Sequence, residues 1–208
     1  MGLDARGFPL FDMAPVPWTV PRPSPYRALL AGSANVFRHG GAGLGALTDL
    51  AVHAVGAVTA DAARAAGFAV AAIGEGGLQP MAAALPPGRY LRLAGEKRVP
   101  LALPNGVEVD DVVVYAAAGL PLPPALAEVL TGPALVLLHS GEAAAHFAAE
   151  SARLGVERSA ISLVCLAPRI GLMAGPGWQH IEIAETRCDH AVLALAAQMC
   201  EKVSPRGH

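Results

Sequence analysis

Ala134-Leu-Val-Leu-Leu138, followed by His139-Ser140 and the Ala-rich run Gly141–Leu154, is the stretch whose reading decides the fold. Five unbroken apolar residues fit a strand covered on both faces, since a strand with one wet face alternates apolar and polar positions. Ser140 supplies the side-chain oxygen that caps a helix start, and the residues after it are good helix formers. A buried strand running straight into a capped helix is the unit from which parallel sheets are built.

The same unit recurs along the chain. Strand-like runs occur at Ala28–Gly32, Ala51–Val55, Phe68–Ile73, Arg89–Leu93, Val107–Tyr115, Ala134–His139, Ile161–Leu166 and Gln179–Ala184. Segments between them read as helices, among them Thr59–Ala66, Gly141–Leu154 and Cys188–Lys202. The class is therefore α/β with parallel sheets.

Two proline-rich stretches break this pattern. Met13–Pro25 holds five prolines and Gly119–Pro124 holds three, and both favour extended backbone over helix or central strand. They divide the chain into an outer lobe from 1–12 plus 126–208, a linker at 13–25, an inserted inner lobe at 26–115 and a second linker at 116–125. The two lobes also share an order of features. Leu29-Leu-Ala-Gly-Ser33 parallels Leu137-Leu-His-Ser140, and in each lobe a later helix ends in Gly-aromatic, Gly67-Phe68 and Gly177-Trp178.

Composition narrows the function. The chain has 208 residues, 53% of them hydrophobic and 15% charged, which is not the make-up of a disordered segment. Fifteen Lys and Arg against 17 Asp and Glu leave a formal charge of −2, without the broad basic footprint of a nucleic-acid binder. Cys165, Cys188 and Cys200 form an odd set without C-x-x-C, which fits reduced thiols in a cytoplasmic protein. The longest apolar stretch, Ala51–Ile73, is interrupted by His53, Asp61 and Arg64, so no membrane span is expected.

Several familiar patterns fail on their own mechanics. Gly41-Ala-Gly43-Leu-Gly45-Ala46 has dinucleotide-loop spacing, with Asp61 twenty residues on, but Ser33–Gly40 separates it from the strand it should follow. Ser33 and Ser140 lie in A-G-S-A-N and L-H-S-G-E rather than a nucleophile elbow, and a helix-capping role suits them better. Cys188-Asp-His190 places its side chains on different faces of a helix and falls short of the four ligands zinc takes. Ser33, Thr59, Gly95 and Ser140 read instead as helix starts at the carboxyl ends of strands, where backbone N–H groups meet anions. Arg38, Lys97 and Arg98 lie close by in sequence. Two such edges facing across paired linkers would form a cleft for a flexible polyanion.

These residues resemble the uroporphyrinogen-III synthase family. Tyr26-Arg-Ala-Leu-Leu-Ala-Gly-Ser33-Ala-Asn-Val is similar to its Tyr-Asp-x-Leu-x-x-x-Ser-x-x-Ala-Val segment, and Val55-Gly56-Ala-Val-Thr59-Ala to its Val-Gly-x-x-Thr-Ala. Leu93-Ala-Gly95-Glu-Lys97-Arg98 resembles the Gly-x-x-x-Arg turn, Val112-Val-Val-Tyr115 the Val-x-Val-Tyr strand, and Leu137-Leu-His-Ser140 the Ser of the second lobe. The resemblance covers about residues 26–203 in order. It implies two flavodoxin-like lobes, one inserted in the other. It also implies the reaction, cyclisation of hydroxymethylbilane with inversion of ring D and loss of water, through a spiro intermediate and without metal or organic cofactor.

Carried over by position, Tyr115 would assist departure of the substrate hydroxyl. Ser33, Thr59, Gly95 and Ser140 would contact the substrate, and Lys97 and Arg98 would neutralise its carboxylates. Ala167-Pro168-Arg169-Ile170-Gly171 replaces the family's second Gly-x-Thr-Ala, which makes Arg169 the substitute carboxylate ligand. The resemblance further implies a strand ending near Arg-Pro and a helix ahead of Leu3–Phe11, units without counterpart in these 208 residues. The strand expected over 8–11 would then lack its neighbour and leave backbone edges open. The expected partner is the substrate alone, with the protein a monomer that binds neither nucleic acid nor membrane. A second reading is a catalytically impaired or non-catalytic relative that binds a tetrapyrrole or another polyanion.

Overall fold

A computed structural model of the chain describes residues 5–203. The segments expected at 3–11 and 126–208 therefore begin and end outside the described residues. Contacts divide the chain into two compact units, one running through Asp12 and resuming at Gly119, the other spanning Met13–Ala118.

Six strands form the sheet that carries the second unit: β1 (Phe11–Pro15), β2 (Leu29–Ala31), β3 (Val52–Val55), β4 (Val70–Gly74), β5 (Gly88–Gly95) and β6 (Val107–Gly119). The strand expected over 8–11 forms instead as β1, displaced toward the C-terminus. Pro9 has no N–H to give to a ladder, so regular pairing starts beyond it, and Pro15 closes the strand at a sheet edge. Helices α1 (Asn35–His39), α2 (Ala57–Ala65) and α3 (Leu78–Ala83) lie in the connections.

The spatial order is β1-β6-β5-β2-β3-β4, and β6-β5, β5-β2, β2-β3 and β3-β4 are all parallel. If counting starts at β5, its five parallel strands run 2-1-3-4-5, the flavodoxin order entered at its third strand. From β2 the chain winds outward through β3 to β4; it then returns and winds the other way through β5 to β6. The reversal lies between β2 and β5, and the crevice outside the carboxyl ends of strands at such a reversal is where open α/β sheets bind ligands.

Alternation along β5 separates two cores. Leu91 and Leu93 face a cluster with Leu29, Ala31, Val52, Phe37 and Phe68, whereas Tyr90 faces Leu30, Ala82 and Leu85 under α3. Arg92 follows Tyr90 on that second face, one step nearer the carboxyl edge. Residues 18–20 also belong to this unit's packing: Trp18 and Val20 lie on the first core, and Trp18 Nε1 donates to the Gly40 carbonyl at 2.9 Å.

The first unit holds β7 (Ala134–Leu138), β8 (Ile161–Cys165) and β9 (His180–Ile183), all parallel and adjacent in chain order. Helices α4 (Pro124–Val129), α5 (Gly141–Arg153), α6 (Pro168–Ala174) and α7 (Asp189–Val203) complete it. Every residue of β8 is buried, because Ile161, Leu163 and Cys165 face Phe147, Ile170 and Trp178 while Val164 faces Val192 and Ala196 on α7. Among the described residues β7 and β9 are the edges of this sheet. The parallel between the units survives in detail. β2-β3-β4 and β7-β8-β9 are equivalent triples, and Gly67 and Gly177, both at positive φ, precede the buried Phe68 and Trp178. Among the described residues no helix is long and apolar enough to cross a membrane.

Candidate active site

A cavity of about 360 Å³ opens at the β2–β5 reversal. Gly32 and Ser33 form its wall beyond β2, and Leu93, Ala94 and Gly95 its wall at the end of β5; Gly76 and Gly77 enter from the turn after β4. Those two glycines sit at φ 73° and 95°, a backbone conformation that other residues adopt only with strain. The lining includes Arg92, Lys97 and Arg98 and no carboxylate. The cavity is thus a local cationic pocket in a chain of net charge −2, suited to an anionic ligand.

Tyr115 forms another wall. It lies on β6 beside Gly95, and the register shifts at this pair. A Cβ on Gly95 would come within 2.8 Å of the Tyr115 ring and 3.0 Å of its hydroxyl oxygen. The hydroxyl end of the phenol therefore lies close over position 95, and glycine there makes the room. The Tyr115 carbonyl accepts from the Glu96 N–H at 2.9 Å, and the His39 ring lies 6.2 Å from the phenol, centre to centre.

Residues 96–102 close the pocket and are fixed at three points. Gln79 exchanges two hydrogen bonds with the backbone of Ala102, each 2.8 Å. Arg92 donates to the Val99 carbonyl at 3.1 Å. Arg98 donates to the Glu96 carbonyl at 3.1 Å and, through Nε, to Asp111 at 2.8 Å. Arg92 is 8% exposed and Asp111 also lies 3.7 Å from its guanidinium, so one carboxylate sits between two arginines.

The structure brings together Ser33, Gly95, Lys97, Arg98 and Tyr115 of the residues singled out in the sequence. Ser33 accepts from the Asn35 N–H at 3.2 Å, close to a capping role, although Ala34 holds the cap position of α1. Thr59 is not a cap. Gly56, at φ 75°, begins α2, and Thr59 is buried at 5% exposure inside that helix and does not line the cavity. Gly95 ends its strand in a turn, not in a helix.

In the other unit, Ser140 does cap α5, accepting from the Ala143 N–H at 3.1 Å. Arg169 lies exposed in the first turn of α6, at the carboxyl end of β8. Sequence reasoning missed Arg92 and Gln79. An arginine between Leu91 and Leu93 looks like a break in an apolar strand, and its meaning depends on the β5–β6 register that sets it beside Asp111.

Fold and crevice define a class: a two-unit α/β protein with a cationic pocket at a strand-order reversal, closed by a tyrosine and an arginine-stapled loop. The family model described as "Uroporphyrinogen-III synthase HemD" matches residues 2–191, and the chain belongs to that family. Among solved structures it is similar to uroporphyrinogen-III synthetase from Helicobacter pylori 26695, with 18% identity over 91% of each chain and a TM-score of 0.52, which establishes a shared fold. A Thermus thermophilus uroporphyrinogen III synthase is 20% identical over 93% of this chain and 88% of its own, with a TM-score of 0.38. No curated protein matches the chain by sequence.

Proposed function

We propose that this chain converts hydroxymethylbilane to uroporphyrinogen III, and that the cavity between β2 and β5 is where ring closure is directed. The observation that carries this reading is the pocket lining, which includes Arg92, Lys97, Arg98 and Tyr115 and no carboxylate, Asp111 lying behind the two arginines. The substrate is a flexible polycarboxylate whose terminal hydroxyl leaves readily. Catalysis then consists of folding it so that the reacting ends meet, which is an effect of proximity and electrostatics rather than of a strong nucleophile.

Lys97 and Arg98 neutralise substrate carboxylates. Ser33 and the Gly95 backbone hold it along the strand ends. Tyr115 donates a hydrogen bond to the departing hydroxyl, which leaves as water when its C–O bond breaks. The methylene carbon so exposed bonds to the substituted α-carbon of ring D and gives the spiro intermediate. The older bond from that ring D carbon to its methylene bridge then breaks, ring D turns over, and the bond is remade at its free α-carbon, whose lost proton balances the one taken up by the departing water. Ser140, Arg169 and Thr59 belong to the same proposal as contributors: the first two sit at the carboxyl edge of the first unit's sheet, and Thr59 acts only through the position of α2. The reading also takes 13–25 and 116–125 as linkers between an outer lobe (1–12 plus 126–208) and an inner lobe (26–115). In this account the protein works in the cytoplasm as a monomer.

The test supplies freshly made hydroxymethylbilane to the full chain, oxidises the products and separates the uroporphyrin isomers. Mostly type III supports the reading. Type I alone, the uncatalysed product, from a folded sample contradicts it and favours a binding relative.

A further inference from the structure

Resting on that functional reading, we propose that Asp111 is a positioning residue, which sets Arg92 and Arg98 and with them the loop 96–101 so that the two guanidiniums present one fork to a substrate carboxylate. Arg92 and Asp111 are register partners on the parallel strands β5 and β6, so their side chains leave the sheet on the same face. Asp111 Oδ2 accepts from Arg98 Nε at 2.8 Å, and Oδ1 lies 3.7 Å from Arg92 Nη1. Each arginine then reaches past the carboxylate to the loop backbone, Arg92 to Val99 O and Arg98 to Glu96 O.

A guanidinium has five N–H donors, more than these contacts engage, and both arginines line the cavity. The cluster carries two positive charges and one negative. It keeps a net cation at the pocket wall while the central carboxylate prevents the arginines from separating by mutual repulsion. Burial of Arg92 makes that arrangement specific, because a buried guanidinium without a counter-charge would turn out to water or draw the loop with it.

Charge alone and positioning make opposite predictions. Asp111→Asn removes a negative charge beside a polyanion site; if only the field mattered, KM for hydroxymethylbilane would fall. If Asp111 positions the arginines, KM rises about tenfold, the effect of losing one charge-assisted hydrogen bond to substrate. In that case kcat changes little, and backbone amides of 96–101 exchange faster with deuterium. Arg98→Lys, which keeps the charge but loses the fork, gives the same pattern and decides the matter if Asp111→Asn does not fold. Unchanged or lower KM with wild-type exchange over 96–101 overturns the proposal. If the wild-type chain itself forms no type III product, the functional reading fails, and the exchange comparison alone then upholds or overturns the positioning role.

Discussion

Adding one methyl group at Gly95 is the sharpest perturbation available to the site. The Cβ of Gly95→Ala would sit 2.8 Å from Cε2 and Cζ of Tyr115 and 3.0 Å from its hydroxyl oxygen. Carbon atoms in contact settle at roughly 3.5–4.0 Å, so the overlap is about 1 Å. The backbone at 95 does not need glycine for its φ, and the cost is therefore one of space alone. Tyr115 packs against the core that holds Leu91, Leu93 and Val114, which limits where the ring can go. Overpacking of this kind costs about 1–3 kcal/mol. Displacing a catalytic group by about 1 Å lowers a rate on the order of 100-fold. The assay pairs urea unfolding of the full chain with the initial rate of type III formation. Gly95→Ala loses both stability and rate, and Gly95→Ala/Tyr115→Ala regains stability while remaining slow. A Gly95→Ala protein with wild-type stability and rate would refute the claim that the phenol occupies this space.

Tyr115→Phe keeps the ring and loses the hydroxyl, and it lowers kcat by roughly 100-fold or more with little change in KM if the phenol assists hydroxyl departure; an unchanged kcat removes Tyr115 from the reaction. Phe147→Ala empties a site that is 1% exposed and stacked on Trp178 at 5.4 Å, and it destabilises the unit by about 3–5 kcal/mol in urea unfolding. Glu150 is held down to a pKa of about 2, first by the Arg153 guanidinium and then, against the opposing pull of desolvation, by the Leu122 N–H. Its folded value lies below the ordinary 4.5, so its contribution is complete above that pH and disappears as pH falls from about 4.5 toward 2. Glu150→Gln flattens the acid limb of stability against pH across that window, and an unaltered limb would count against the pairing.

How much of this was legible in the sequence depends on how local the determinants are. The eight strand-like runs correspond to β2 through β9 with ends displaced by four residues at most, because long apolar runs and the residues that stop them are local features. Short helices were harder. α1, α3 and α4 have five or six residues each, and in so Ala-rich a chain no periodicity marks them. The Gly41–Ala46 pattern lies apart from the strand a dinucleotide loop would follow, since β2 ends at Ala31 and residues 42–47 wind into a 3₁₀ turn. Asp61, which the dinucleotide pattern would have placed at a strand end, lies on the surface of α2, paired with Arg64 at 2.9 Å.

Thr59 shows the limit of cap reasoning. A glycine at positive φ three residues earlier begins the helix by backbone geometry and leaves the threonine inside it. Arg92 shows the limit of motif reasoning. Its partner Asp111 is nineteen residues away, and only the parallel register of β5 with β6 makes them neighbours. The crevice itself is a product of strand order, and no single residue announces it.

The most direct measurement of where the chemistry is directed is an NMR titration of the full chain with uroporphyrinogen III, kept free of oxygen and followed through backbone amide shifts. The account predicts that Gly32, Ser33, Gly95 through Val99 and Tyr115 move together and saturate at one affinity. Shifts confined to the groove between α1 and α2, around Arg38, Val58 and Asp61, with the β2–β5 crevice silent, would contradict it.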